Sequence, residues 1–136
     1  MRAPSPRVLA RQRSAAHASR TGPLNRHGQL GRRGEEHAIR LLEASGYVVV
    51  GRNVRVPGGE IDVICTDGDV VVFVEVKTRA STRFGSALAA VDARKRRKLR
   101  ELAADWLQIA APHARARFDV VTIDGPRAVL HRGAFA

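Results

Sequence analysis

The sequence predicts one mixed α/β domain with its elements in the order α-β-β-β-α-β. Three observations predict it. Apolar residues recur at helical spacing over about 30–45 and again over 87–110. Between and after these stretches lie short runs rich in Val, Ile, Phe and Thr, the residues that fit a pleated surface. The runs are separated by Pro57-Gly58-Gly59, Asp67-Gly68-Asp69 and Asp124-Gly125-Pro126, all turn formers. A length of 136 residues suits a single domain, and a hydrophobic fraction of 44% supplies one core.

The first helix is expected over about 30–45, because Ala38, Leu41, Leu42 and Ser45 follow the i, i+3, i+4 spacing of one face and Gly46 is a natural stop. Tyr47–Val50 then reads as a strand. Glu60–Thr66 and Val70–Thr78 read as a hairpin around Asp67-Gly68-Asp69. A loop carrying Phe84-Gly85 follows. The pattern over 87–110, ended by Pro112, is the second helix. Phe118–Ile123 is the last strand of the order, and Arg127–Arg132 reads as a short edge strand after the final turn.

Charge divides the chain. The formal net charge is +11, from 24 Lys and Arg against 13 Asp and Glu. Residues 1–34 hold eight arginines and no acid, whereas the remainder holds 16 basic and 13 acidic side chains. Residues 1–27 therefore read as a disordered basic tail, too poor in apolar residues to offset the entropy of ordering, and residues 28–136 as the folded domain. Within that domain Arg94, Lys95, Arg96, Arg97, Lys98 and Arg100 form a dense block on the second helix. A charge run is usually a solvated helix face, but one this dense suits contacts to a phosphate backbone, so the expected partner is nucleic acid, DNA first. One cysteine excludes a disulfide framework, and no Cys/His spacing forms a zinc site. No apolar run approaches the roughly 18 residues of a membrane span. No apolar region follows the first arginines, so a secretory signal is not expected and the location is read as cytoplasmic; the Arg- and Ser-rich, acid-free start also has the composition of a mitochondrial transit peptide.

The candidate chemistry lies on the hairpin. A two-residue turn makes paired positions sum to a constant. With Gly68-Asp69 as the turn the sum is 137 and Asp62 lies opposite Glu75; with Asp67-Gly68 it is 135, Glu75 faces Glu60, and Asp62 is its diagonal neighbour. Either register puts Asp62, Glu75 and Lys77 on one face, since opposed residues share a face and strands alternate with period 2; a three-residue turn would break this. The run Val70–Val74 is continuously apolar, as in a buried central strand. Two carboxylates at the end of such a strand are desolvated and repel one another, and a hard divalent cation such as Mg²⁺ resolves the conflict. Lys77 could orient or deprotonate a water or stabilise developing phosphorane charge, the minimum set for metal-assisted phosphodiester hydrolysis. The plain alternative is a set of solvated strand charges, because Glu-x-Lys alone is a weak motif.

Gly59-Glu-Ile-Asp62, Val72-Phe-Val-Glu-Val-Lys-Thr-Arg79, Phe84-Gly85 and Arg117-Phe-Asp-Val-Val121 together resemble the bacterial YraN-like family over about residues 28–124. That family is usually described as endonucleases of the restriction-endonuclease-like, PD-(D/E)xK superfamily, akin to archaeal Holliday junction resolvases. The resemblance implies a restriction-endonuclease-like mixed central sheet flanked by helices. It implies Mg²⁺ or Mn²⁺ ligation by Asp62 and Glu75 with Lys77 as the catalytic lysine. It also carries a metal-site carboxylate role to Glu35, in Gly31-Arg-Arg-Gly-Glu35-Glu-His-Ala38. For Glu35 the plain reading is a first-turn glutamate favoured by the helix dipole. The same resemblance marks Lys95 and, by analogy with resolvases, implies a homodimer.

The function expected is thus metal-dependent hydrolysis of phosphodiester bonds in structured or branched DNA; the alternative is a non-catalytic nucleic-acid-binding module that keeps the fold. Lys95 falls in the apolar row Leu88, Val91, 95, Leu99, Leu102, Trp106, where it either snorkels to solvent or leaves the sheet edge near a phosphate. Arg79 either binds the scissile phosphate or is an ordinary strand-end charge. Cys65 and Trp106 read as core, Glu36, His37 and His113 as surface. Asp119 alternates with Phe118 and Val120, so it is expected to point away from the core in a structural role.

Overall fold

The computed structural model describes residues 26–79 and 91–136, with side chains from residues 32–78 and 91–136. The tail before Arg26, the Phe84-Gly85 loop, Leu88 and the side chain of Arg79 lie outside them. Two helices, α1 (Arg26–Ala44) and α2 (Ala93–Ala110), accompany five strands: β1 (Val48–Val56), β2 (Gly59–Asp67), β3 (Val70–Arg79), β4 (Arg115–Asp124) and β5 (Arg127–Phe135). The strands form one mixed sheet in the order β1-β2-β3-β4-β5, with β3 and β4 parallel and the other pairs antiparallel. The mixed α/β expectation is met, and β5 is an edge strand as expected, nine residues long rather than short.

Both faces of the sheet are covered. Ala38, Ile39 and Leu42 of α1 pack with Val63, Cys65, Val72, Val74, Val121 and Ile123 on one face. Leu99, Leu102, Ala103 and Trp106 of α2 pack with Ile61, Ile64, Val71 and Phe73 on the other. This double cover explains why Val70–Val74 is apolar without alternation. It also corrects the reading of Asp119: pointing off one face puts it under α1, and it is 0% exposed.

Local chemistry sets the ends of the elements. α1 stops where the sequence says, with Gly46 left-handed at φ +90 and the Tyr47 amide bonded back to the Leu42 carbonyl. It starts earlier than expected, taking in Arg26 and His27, so the boundary of the tail shifts by two residues. α2 begins at Ala93 rather than at 87, because the Asp92 side chain accepts the Lys95 amide as an N-cap. β1 extends to Val56, beyond the Tyr47–Val50 run; a register shift between Val49 and Gly51 and a left-handed Asn53 (φ 48) break the alternation that would have advertised it.

Candidate active site

The β2–β3 turn is Gly68-Asp69, with Asp67 paired to Val70, so the sum-137 register is the one formed. The ladder runs from there to Val63–Val74 and goes no further. Beyond it Asp62 takes over: its Oδ2 accepts the Val76 amide at 2.9 Å, a side chain substituting for a strand carbonyl. Asp62 thereby adjoins Glu75 at the point where β2 and β3 part, and Glu75 lies on the sheet face that α2 covers. Glu75 is 7% exposed. Burial, followed by the charge of Glu75, pushes the Asp62 carboxyl up to about 7; the Val76 amide and Lys95 pull against this, and Glu35 adds to it.

Lys95 is the cation that meets this pair. Its Nζ lies 3.5 Å from Glu75 Oε1, although the lysine is about half exposed. Its position in the apolar row of α2 thus aims it at the carboxylates, and the free-snorkelling alternative falls away. Lys77 sits one turn of the pleat beyond Glu75, half-buried and registered with Thr122 of β4. The Thr122 hydroxyl lies 3.0 Å from His131 Nε2 of β5. Neither Thr122 nor His131 stands out in the sequence; only the parallel register of β3 with β4 brings them to the face that carries Glu75 and Lys77.

Glu35 lies in the third turn of α1, since the helix starts at Arg26, so the first-turn dipole reading does not apply. Its Oε2 accepts from Asn53 Nδ2 at 3.1 Å. The register of β1 with β2 (Arg52 to Val63, Val54 to Ile61) sets Asn53 across from Asp62. Asn53, not evident in the sequence, is therefore what ties Glu35 to this corner. Glu36 is exposed and paired with Arg52. Among the described residues no three His, Cys, Asp or Glu side chains are grouped to hold a metal ion. The donor set offered is two adjoining carboxylates, which fits Mg²⁺ or Mn²⁺: such ions keep several waters and take one or two protein carboxylates.

The basic block on α2 separates into two sets. Besides Lys95, Arg96 bonds the Val91 carbonyl and lies over the Phe135 ring, and Arg100 bonds the Ala136 carbonyl. Arg94, Arg97 and Lys98 are exposed, and no ion pair holds them among the described residues.

These features define a mixed α/β domain with a carboxylate pair, one of them buried, and two lysines where two central strands diverge. The chain belongs to the uncharacterised protein family UPF0102, the YraN-like family, whose model matches residues 34–123. It is 51% identical over 113 residues to a UPF0102 protein of Frankia alni, covering 78% of this chain and 93% of the relative. A UPF0102 protein of Leifsonia xyli subsp. xyli is 51% identical over 84 residues, 62% of this chain and 71% of the relative. One of Alkalilimnicola ehrlichii is 46% identical over 111 residues, 80% and 88% of the two chains. Among the described residues no helix is long and apolar enough to cross a membrane.

Proposed function

We propose that this protein is a metal-dependent endonuclease of the restriction-endonuclease-like type, hydrolysing phosphodiester bonds in structured or branched DNA. The observation that carries the reading is Asp62 adjoining the buried Glu75 at the fork of β2 and β3, with Lys77 on the same face as Glu75. Asp62 and Glu75 would hold Mg²⁺ or Mn²⁺, which when bound would supply Lewis-acid polarisation of the scissile phosphate. Lys77 orients the attacking water and offsets the charge that develops on the phosphorane. Glu35, fixed by Asn53, adds negative charge beside Asp62. Lys95 holds Glu75 in place and stands at the lip of the site. Arg94, Arg97 and Lys98 bind backbone phosphates without reading sequence, with Arg96 and Arg100 adding to the cationic surface. A homodimer fits a branched substrate with two strands to cut.

Purified protein with Mg²⁺ or Mn²⁺ is expected to nick flapped or branched DNA. Lys77→Ala should lower the rate by about 10²–10⁴-fold, as loss of a general acid–base group does, while DNA affinity in EDTA stays within a factor of about two, because Lys77 is not one of the exposed phosphate-binding cations. Cleavage that survives in this variant overturns the mechanism.

One observation favours a second reading, a nucleic-acid-binding module without catalysis: the Lys95 ammonium already compensates Glu75. Calorimetric titration with Mg²⁺ separates the two. Heat that is present in the native chain and absent in Glu75→Gln supports the nuclease; no Mg²⁺ binding, with or without DNA, together with intact DNA affinity supports the module.

A further inference from the structure

A cavity of about 580 Å³ lies at the same end of β3 as Glu75 and Lys77 but on the opposite face of the sheet. Gly34, Thr78, Ile123 and Gly125 form its floor and wall, and Arg32, Arg33, His37 and Arg40 form its rim. Two local facts set it back to back with the candidate active site. Period-2 alternation turns Thr78 to one face of β3 and Lys77 to the other. On α1, Gly34 precedes Glu35, whose charge acts on Asp62. The helix approaches so closely here that a Cβ on Gly34 would collide with the Thr78 hydroxyl.

Most of the charge of this rim is not consumed internally. Glu36 is the one acid among the described lining residues; Arg52 of β1 engages its carboxylate and, with smaller contributions from Arg40 and Arg32, holds it below the usual carboxylate range. Arg32, Arg33 and Arg40 are exposed and make no ion pair among the described residues. The cavity thus joins an apolar floor to unspent guanidinium groups. Its volume falls within the ~300–1,000 Å³ usual for small-ligand sites, and guanidinium forks match phosphate oxygens.

We infer that this cavity seats one unpaired nucleotide of the DNA strand, its phosphate on Arg33 and Arg40 and its sugar and base against Gly34 and Ile123. The inference rests on the nuclease reading for its ligand class and extends it to substrate form. A strand that places a phosphodiester at Asp62 and Glu75 and continues over the end of β3 reaches this cavity only if it leaves the duplex, since the two sites face opposite sides of the sheet. The cavity therefore selects DNA with a single-stranded branch, whereas Arg94, Arg97 and Lys98 on the α2 side serve the duplex.

The test is fluorescence anisotropy of the full chain in EDTA, with two labelled DNAs of the same duplex sequence, one blunt and one with a single-stranded flap. The native chain should prefer the flapped DNA by roughly tenfold, the size of one or two charge-assisted hydrogen bonds. Arg33→Gln/Arg40→Gln should remove the preference and leave blunt-duplex affinity within a factor of about two, with the salt slope on flapped DNA falling by about 1–2. Both arginines are exposed, so the variant should fold, which its far-ultraviolet dichroism checks. As a second readout independent of DNA, thymidine monophosphate at millimolar concentration should raise the melting temperature of the native chain but not of the variant. An unchanged preference, an equal loss on both DNAs, or a nucleotide effect surviving in the variant overturns the inference. None of these readouts involves cleavage, so failure of the nuclease reading shows separately, as absent Mg²⁺-dependent nicking with the binding preference intact.

Discussion

Two aspartates of one sheet, Asp119 fully buried and Asp62 half-buried, have opposite electrostatic fates. Asp119, under α1, is fully satisfied: its Oδ2 accepts the Tyr47 hydroxyl at 2.7 Å, its Oδ1 accepts the Gly133 amide at 2.9 Å, and Arg117 bonds both oxygens. Burial by itself would raise its pKa, but these donors win and hold it below the ordinary carboxylate range. Asp62, at the fork of β2 and β3, has one amide and a carboxylate neighbour, and it is pushed up. Complete satisfaction marks a structural ion, and a buried charge left short of donors marks a place where the molecule waits for something else. Glu75 and Val120 are partners in the ladder, as are Val74 and Asp119, so the contrast arises within one residue step.

The structural half of this contrast should break first and hardest. Asp119→Ala leaves Arg117 and the Tyr47 hydroxyl without their central acceptor, and its expected cost is about 3–5 kcal/mol. Arg117 keeps Asp67 at 3.0 Å, which limits the damage. Urea unfolding measures the loss; a change under 1 kcal/mol, by the scale of an ordinary hydrogen bond, would show that the network is redundant. Tyr47→Phe is milder. It removes one hydroxyl that donates to Asp119 and accepts from Arg117 at 2.6 Å, with the ring still packed between the Arg117 and Arg132 guanidiniums. The expected cost is about 1–1.5 kcal/mol. The same hydroxyl, raised to about 12 chiefly by burial and then by Asp119, should titrate late in an ultraviolet pH titration.

The candidate site was more legible in the sequence than the structural network, and the reason is physical. Asp62, Glu75 and Lys77 belong to one hairpin, so turn length and strand alternation fix their common face without knowledge of anything distant. Lys95 was legible as a charge out of place in an apolar row, though its partner was not. Asn53 and Glu35 meet through a left-handed residue and a helix that starts early; Gly28, Gly31 and Gly34 and the lack of an apolar stripe hid that start. Asp119 was misplaced because alternation says which way a strand residue points, not whether a helix covers that side. Thr122 and His131 needed the parallel β3–β4 register, a pairing of strands separated by 35 residues that no local pattern encodes.

The finest distinction between the two aspartates is in the pH dependence of stability. In EDTA, the folded protein keeps a proton on Asp62 up to about 7, whereas the unfolded chain releases it near 3.8. Between those values the native state binds more protons, so this group's contribution to stability falls as pH rises through the window and levels off above it. Asp119 has the reverse sign: its folded value is below 3.8, so its contribution is present above that value and is lost only on further acidification. The two windows do not overlap. Asp62→Asn should therefore flatten the decline in melting temperature between about pH 5 and pH 8 and leave the acid limb unchanged. Mg²⁺ added at about pH 8 should recover the lost stability in the native chain, by preferential binding to the folded state, and do little in the variant. Matching curves for the two proteins from about pH 5 to 8 would mean that Asp62 is an ordinary solvated carboxylate, and the contrast between the two aspartates would then rest on Asp119 alone.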